Sequence, residues 1–287
     1  MSIRKIIHAL SISFLLSISF LFFSLPIMAN DEAEGNLSAD EVSKELANPN
    51  TTLASLVFKN QFRSFAGDLP DADDQTSAIT LFQPILPFPL DSGSQIIFRP
   101  AIPIIWDSPA GNNFDSEAGI GDISFDLVYA PEAVNGWITA LGIIGTLPTA
   151  TNGKLGMDKL SLGPDILFGR VTKKYVLGIN PSHQWDIAGS GDEDVSISKM
   201  QIFAALLLGK GWSFGSEPII NYDWEQEQWE IPINCIISKT VIIGGRPWKF
   251  GTEINYYVER NDDFSPRWMF GINITPVIKN GLVKFFQ

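Results

Sequence analysis

The sequence is poor in the residues that form disulfides and metal centres. Its 287 residues include one cysteine, Cys235, so no disulfide can form within the chain. The two histidines belong to no HExxH pattern or Cys/His cluster, and the sequence contains no phosphate-binding loop or glycine-rich dinucleotide motif. We therefore predict no cofactor, no metal site and no enzymatic activity.

Basic residues are also scarce. The chain has 20 Lys and Arg against 32 Asp and Glu, which gives a formal net charge of -12. Proteins that bind nucleic acid present a basic surface, and this composition does not supply one. We therefore expect no nucleic-acid partner.

Long apolar runs are missing except at the N-terminus. There, Arg4 and Lys5 precede a long apolar run and a small-residue cleavage site. This pattern is typical of a secretory signal peptide over residues 1–29, and an uncleaved membrane anchor is the alternative. The rest of the chain, 30–287, has no apolar run long enough for a transmembrane helix, although it is rich in Trp, Phe and Ile.

Apolar residues in the rest of the chain instead alternate with polar ones, most clearly over 246–280. Trp248 and Ile254 fall on one face of the strand predicted there, and Lys249 and Glu253 fall on the other. An apolar outside and a polar inside are typical of a transmembrane β-barrel, because lipid requires a closed sheet. A secreted β-sandwich with an apolar core would show the same alternation and is the competing interpretation.

The pattern continues along the chain and predicts about twelve antiparallel strands, without helical periodicity between them. Their expected positions are 53–65, 76–88, 95–106, 120–129, 137–148, 161–171, 175–187, 197–208, 212–224, 229–243, 248–259 and 267–278. The predicted connections alternate between longer, mostly acidic loops, such as 107–119, and short turns, such as 172–174. This alternation favours an all-β, up-and-down barrel of the outer-membrane type over a sandwich.

The predicted domain organisation is a signal peptide at 1–29, a periplasmic N-terminal segment at 30–51 and an outer-membrane β-barrel at 52–287. Within the segment, Ser38 and Glu41 have the spacing of a capping box, so a short helix is expected there, with disorder as the alternative. The expected partners of such a barrel are outer-membrane lipid and lipopolysaccharide, the barrel-assembly machinery and a small-molecule solute.

Eight prolines fall within the predicted strands, where they interrupt hydrogen bonding and predict bulges or kinks. They are Pro84, Pro100, Pro103, Pro164, Pro181, Pro218, Pro232 and Pro276.

Five sequence blocks resemble a family of bacterial outer-membrane proteins. They are GTLPTAT at 145–151, LGPDILFG at 162–169, PSHQWDIAGSGD at 181–192, SKTVIIGGRPWKFGTEINYYVE at 238–259 and ITPVIKN at 274–280. These blocks are similar to the phenol-degradation MetA-like transporter group, some members of which carry the label neuromedin U. The resemblance implies a β-barrel channel or uptake protein for passive passage of small solutes, with apolar or aromatic compounds as candidates. It implies no catalytic residues and no ligand residues.

Eleven charged residues are candidates for the lumen lining. They are Asp122, Asp126, Glu217, Asp223, Lys249, Glu253, Glu259, Lys59, Arg63, Arg99 and Arg267. They could simply pair and hold water, or they could select solutes as charged rings do in channels. Because the carboxylates among the predicted inward positions outnumber the bases, we expect a weakly cation-preferring or nearly unselective channel. The alternative functions are a non-conducting structural or enzymatic barrel and a secreted β-sandwich binding protein.

His183 lies beside Ser182 in PSHQWD, which suggests a nucleophile and its base. Neighbouring residues of a strand point to opposite faces, however, so these two side chains cannot meet. We interpret His183 as a wall or rim residue.

Overall fold

A single antiparallel sheet closes on itself in the computed structural model, which describes residues 37–90, 92–111 and 113–280. The signal peptide predicted at 1–29 lies outside the described residues. Strand bounds are β1 Ser55–Ala66, β2 Thr76–Pro89, β3 Gln95–Ala110, β4 Asp115–Ile120, β5 Ile123–Ala130, β6 Trp137–Leu147, β7 Lys159–Val171, β8 Tyr175–Gly189, β9 Ser196–Gly209, β10 Trp212–Ser216, β11 Ile219–Asp223, β12 Gln228–Ile243, β13 Arg246–Glu259 and β14 Ser265–Pro276.

Strands that follow each other in the chain pair antiparallel, except β4 with β5 and β10 with β11, and β1 pairs with β14 to close the ring. Both β4 and β5 pair with β3, and both β10 and β11 lie between β9 and β12. Each of these pairs is therefore one interrupted barrel strand, and the fold is an up-and-down barrel of twelve strands. The predicted fold class and strand number are confirmed.

The connections define two ends of the barrel. The long-loop end carries the connections that follow β1, β3, β6, β8, β11 and β13, and the short-turn end carries those that follow β2, β5, β7, β9 and β12. One predicted loop, 107–119, is mostly strand, because β3 and β4 continue as a hairpin in which Ser108 pairs with Glu117 and Ala110 with Asp115. This hairpin was not predicted, because its Asp, Ser, Gly and Asn content is typical of loops.

The outer wall is apolar along the middle of the strands. Ile254 and Phe270 are cross-strand neighbours, and both are more than 40% exposed. Exposed tryptophans mark both edges of the wall, Trp137 and Trp212 at the short-turn end and Trp185, Trp224, Trp229 and Trp268 at the long-loop end. An apolar band between two aromatic girdles is the outer surface of a transmembrane barrel. None of the helices in the described part of the chain is long and apolar enough to cross a membrane.

Prolines interrupt the hydrogen-bond ladder as predicted. Pro218 separates β10 from β11, and the register between β12 and β13 shifts at Pro232. Pairing of β2 with β3 stops after Phe82 and Ile102 and resumes at Leu86 and Phe98, with a proline on each strand in the gap. Since proline has no N–H to donate, two facing prolines remove hydrogen bonds from both strands at one place.

Strands β7 and β8 approach each other closely at Gly163. A Cβ atom placed there would lie 1.8 Å from the backbone oxygen of His183, a distance that no real structure tolerates. Gly163→Ala should therefore force the strands apart and lower the free energy of unfolding by about 1–3 kcal/mol. Gly153→Ala is the matched control, because its added methyl group meets no atom within 4 Å. Urea unfolding in lipid vesicles measures the free energy of unfolding of both variants. Equal values for the two would contradict the prediction.

The N-terminal segment forms the predicted helix, α1, over Ala39–Glu45. Its capping box is complete, because Ser38 Oγ accepts a hydrogen bond from Glu41 N–H and the Glu41 carboxylate accepts one from Ser38 N–H at 2.8 Å. The hydrogen bonds that the Ser38 backbone N–H and then its hydroxyl donate to the Glu41 carboxylate lower the pKa of Glu41 below its usual value. The cap fixes where the helix starts.

Candidate functional site

A central cavity of about 420 Å³ lies inside the barrel and receives side chains from most of its strands. Its charged lining residues among those described are Lys59, Arg99, Asp126, Asp165, Lys199, Glu217 and Lys249. Apolar side chains such as Leu81, Phe125 and Leu167 lie between them. The cavity therefore combines charge with apolar surface, as sites for small organic molecules do.

The N-terminal segment forms the floor of this cavity. Residues Leu46 to Pro49 line it, and Asn50 Nδ2 donates to the backbone oxygen of Thr139 at 2.9 Å. Gln95 Nε2 donates to the Asn50 oxygen at 2.8 Å, and Arg99 donates to the Pro49 oxygen at 3.3 Å. Bonds to separate strands thus fix the floor across the short-turn end.

Five of the predicted lumen residues line the cavity: Lys59, Arg99, Asp126, Glu217 and Lys249. Arg99 and Asp126 are cross-strand partners on β3 and β5 and form an ion pair. This pair neutralises two of the five charges at the wall. It also ties the wall to the floor, because Arg99 holds the Pro49 oxygen as well.

Arg63 and Glu253 lie closer to the long-loop end and are held by amide side chains. The Arg63 guanidinium donates to Gln61 at 2.8 Å. The Glu253 carboxylate accepts from Asn273 at 2.9 Å and from Asn255 at 3.2 Å. Amide neighbours therefore hold the Glu253 carboxylate and one end of the Arg63 guanidinium, whose buried Nε has no hydrogen-bond partner among the described residues. Neither residue lines the cavity itself.

Four of the predicted lumen residues lie at the long-loop end and do not line the cavity. Asp122 accepts backbone N–H groups of the β6–β7 loop, including Thr149 and Met157 at 3.0 and 2.7 Å. Asp223 caps the turn after β11 through Glu225 N–H at 2.9 Å. The other two, Glu259 and Arg267, are exposed at strand ends. All four lie at or next to strand ends, and their place along a solute path stays a prediction.

The same long-loop end carries an exposed charge cluster. Lys154 Nζ donates to Glu117 at 2.8 Å and approaches Asp115 at 3.8 Å. The hydrogen bond and charge of Glu117 raise the pKa of Lys154 above its usual value. Such exposed pairs contribute little to stability.

The sequence analysis missed two charged residues of the cavity, Asp165 on β7 and Lys199 on β9. Asp165 is buried and accepts a hydrogen bond from Asn180 Nδ2. Lys199 makes no hydrogen bond or ion pair within the described part of the chain. Strand alternation could have found both, since each lies two residues from another lining residue, Leu167 and Gln201. With them, four bases and three carboxylates line the cavity, which reverses the excess of carboxylates expected from the sequence.

Ser182 and His183 point to opposite faces of β8, as predicted: Ser182 lines the cavity, and His183 lies on the outer wall. There, His183 Nδ1 lies 2.8 Å from Ser198 Oγ, which also accepts a hydrogen bond from Trp224 Nε1 at 2.9 Å. His183 Nε2 is buried and has no hydrogen-bond partner among the described residues. A nucleophile and a base are thus in contact, but no described residue orients the base.

No protein-family model and no curated protein matches the chain. Among solved structures, it is similar to an outer membrane channel from Pseudomonas putida F1, with a TM-score of 0.61 and 12% identity over 79% of this chain and 94% of that chain. The NanC porin gives a TM-score of 0.50 and 10% identity over 78% of this chain and 99% of that chain. Outer membrane phospholipase A from Escherichia coli is less similar, with a TM-score of 0.45 and 10% identity over 84% of this chain and 98% of its own.

At these identities the likeness defines the fold: this chain is an outer-membrane-type β-barrel. The two structures with the higher TM-scores are a channel and a porin. The finer assignment to the MetA-like group stays a prediction, since it rests on the sequence blocks alone.

Proposed function

We propose that the protein is a passive channel for small solutes in a bacterial outer membrane. The observation that carries this proposal is the cavity itself, a charged interior space enclosed by a wall that is apolar on its outside. Charged groups such as Lys199 and Glu217 are costly inside a dry protein, so they need water around them. A wet interior within a closed barrel supports a role in solute passage.

The size and lining of the cavity support small, partly apolar solutes. Its volume of about 420 Å³ is that of a site for a small organic molecule. Leu81 and Ile85 on β2, Phe125 on β5 and Phe203 on β9 contribute apolar surface to the lining. We therefore keep apolar or aromatic compounds as the proposed solute class.

The outer wall supports insertion in the outer membrane, where lipid and lipopolysaccharide are the proposed surrounding partners. The tryptophan girdles would lie at the two interfaces. In this orientation the long-loop end faces outside and the short-turn end, with its floor, faces the periplasm. Insertion of such a barrel would depend on the barrel-assembly machinery.

The contact between His183 and Ser198 favours one alternative, a hydrolase acting on membrane lipid from the outer wall. Its missing orienting group makes the channel the better supported function. The two functions also use different faces of the wall, so variants can separate them.

Purified protein in planar bilayers should give discrete conductance steps, and the same protein in vesicles should admit small uncharged solutes. Phospholipid hydrolysis by the same preparation should stay at background, and His183→Ala should change neither measurement. Folding is checked by heat-dependent mobility in gels. A folded protein that never conducts and admits no solute would overturn the channel proposal, whereas hydrolysis lost in His183→Ala would favour the alternative.

A further inference from the structure

We propose that the central cavity selects small organic anions, binding a carboxylate between Lys59 and Lys249 and a compact apolar body beside them. This inference rests on the proposed channel function and names its class of solute. It reverses the weak cation preference expected from the sequence.

The two lysines reach the cavity from either side of β14. Lys59 on β1 is the cross-strand partner of Asn273, and Gly251, two residues from Lys249 on β13, is the other partner of Asn273. Both lysine side chains line the cavity, and their charges repel each other. Two cations on strands that flank one intervening strand, facing the same confined space, favour an anion between them.

Neither ammonium group has an anionic partner among the described residues. Lys59 Nζ makes no hydrogen bond or ion pair there, and Lys249 Nζ reaches only the backbone oxygen of Leu46, at 3.4 Å. Glu217 attracts Lys249 across the cavity but forms no ion pair with it. The donors of both lysines are therefore available for a carboxylate.

The other charges of the cavity are largely committed. Asp126 is paired with Arg99, and Asp165 accepts from Asn180. Lys199 adds a further cation without an ion pair within the described chain. The cavity as a whole thus has an excess of positive charge, which raises the local concentration of anions.

Apolar side chains lie directly beside the lysines. Leu81 is the cross-strand partner of Lys59 on the same inner face, and Ile85 follows it along β2. Leu46 of the floor completes this side of the cavity. A solute whose carboxylate binds the lysines would bury its apolar part against these side chains. Inorganic phosphate and sulfate have no apolar part and would gain nothing from this surface. An aromatic or short aliphatic carboxylate fits both features.

The test compares three probes of similar shape that differ in charge: benzoate, benzamide and benzylammonium. Entry into protein-containing vesicles should be fastest for benzoate, and benzoate should reduce the single-channel current of small ions as it occupies the cavity. In the Lys59→Gln/Lys249→Gln double variant, the benzoate concentration needed for half-block should rise by about tenfold, the effect of losing hydrogen bonds to a charged group. Lys59→Arg/Lys249→Arg should keep most of the block. Lys173→Gln, on the exposed β7–β8 turn, should behave as wild type.

Equal entry of benzoate and benzamide, or an unchanged half-block concentration in the double Gln variant, would overturn the inference while the channel proposal stands. If the folded protein passes neither ions nor solutes, the channel proposal fails. Benzoate binding to the folded protein in detergent then tests whether the cavity binds organic anions. Binding that weakens in the double Gln variant supports the inference. Absence of binding to the wild-type protein overturns it.

Discussion

Arginine in place of Ile202 should destabilise the folded barrel by about 2–4 kcal/mol in lipid, because its charge would face the apolar core of the membrane. Ile202 lies near the centre of β9, is 39% exposed and pairs with Ile179 on the outer wall. The cost reflects the loss of hydration of the guanidinium group. Urea unfolding in vesicles, followed by tryptophan fluorescence and gel mobility, measures it.

Gln201 provides the matched control one residue away. Its side chain lines the cavity, where water can hydrate an introduced charge. Gln201→Arg should therefore lower the free energy of unfolding much less than Ile202→Arg. Equal destabilisation by the two substitutions would show that the inner and outer faces of β9 are wrongly assigned.

Removing residues 37–51 should enlarge the single-channel conductance, the second large effect expected. These residues include α1 and the floor of the cavity, and they narrow the short-turn end. A twelve-stranded barrel is wider than the eight-stranded barrels that side chains can fill, so the interior would be left open to water. Bilayer recordings of the shortened and full-length proteins give the comparison.

Two point variants separate the floor from the helix that precedes it. Asn50→Ala removes the hydrogen bond to Thr139 and should raise the frequency of large openings. Ser38→Ala removes only the helix cap and should leave conductance unchanged, since Ser38 is exposed and bonds only within the helix. If the shortened protein folds and conducts like the full chain, the segment does not limit passage.

Strand alternation predicted the barrel well because lipid and water impose opposite demands on the two faces of each strand. Ile254 and Glu253 show this on β13, where one side chain is exposed on the wall and the other is held by amides of the lumen. The positions of the strand ends were predicted less accurately. Residues 107–119 have the composition of a loop but form a hairpin. Strands without alternating apolar residues cannot be recognised from composition, so their pairing could not be predicted.

The candidate site was predicted only in part. Lys59, Arg99, Asp126, Glu217 and Lys249 lie where alternation placed them. The position of Asp122 is set by local hydrogen bonds instead. Its carboxylate accepts backbone N–H groups of the neighbouring loop, which have no partner within a strand. The floor was beyond prediction, since its bonds join Asn50 to Thr139 and to Gln95, residues far apart in the sequence.

The contacts of the floor also constrain the order of folding. Lys249 lies 203 residues from Leu46, and the seam between β1 and β14 joins Asn60 to Ile272 across 212 residues. Contacts across such separations form late, because the chain must first lose the entropy of closing a long loop. Arg99 and Lys249, which both bond to the floor, belong to one closed wall only once that seam has formed. The floor can therefore dock fully only in a finished barrel, and its protection from hydrogen exchange should appear last during refolding.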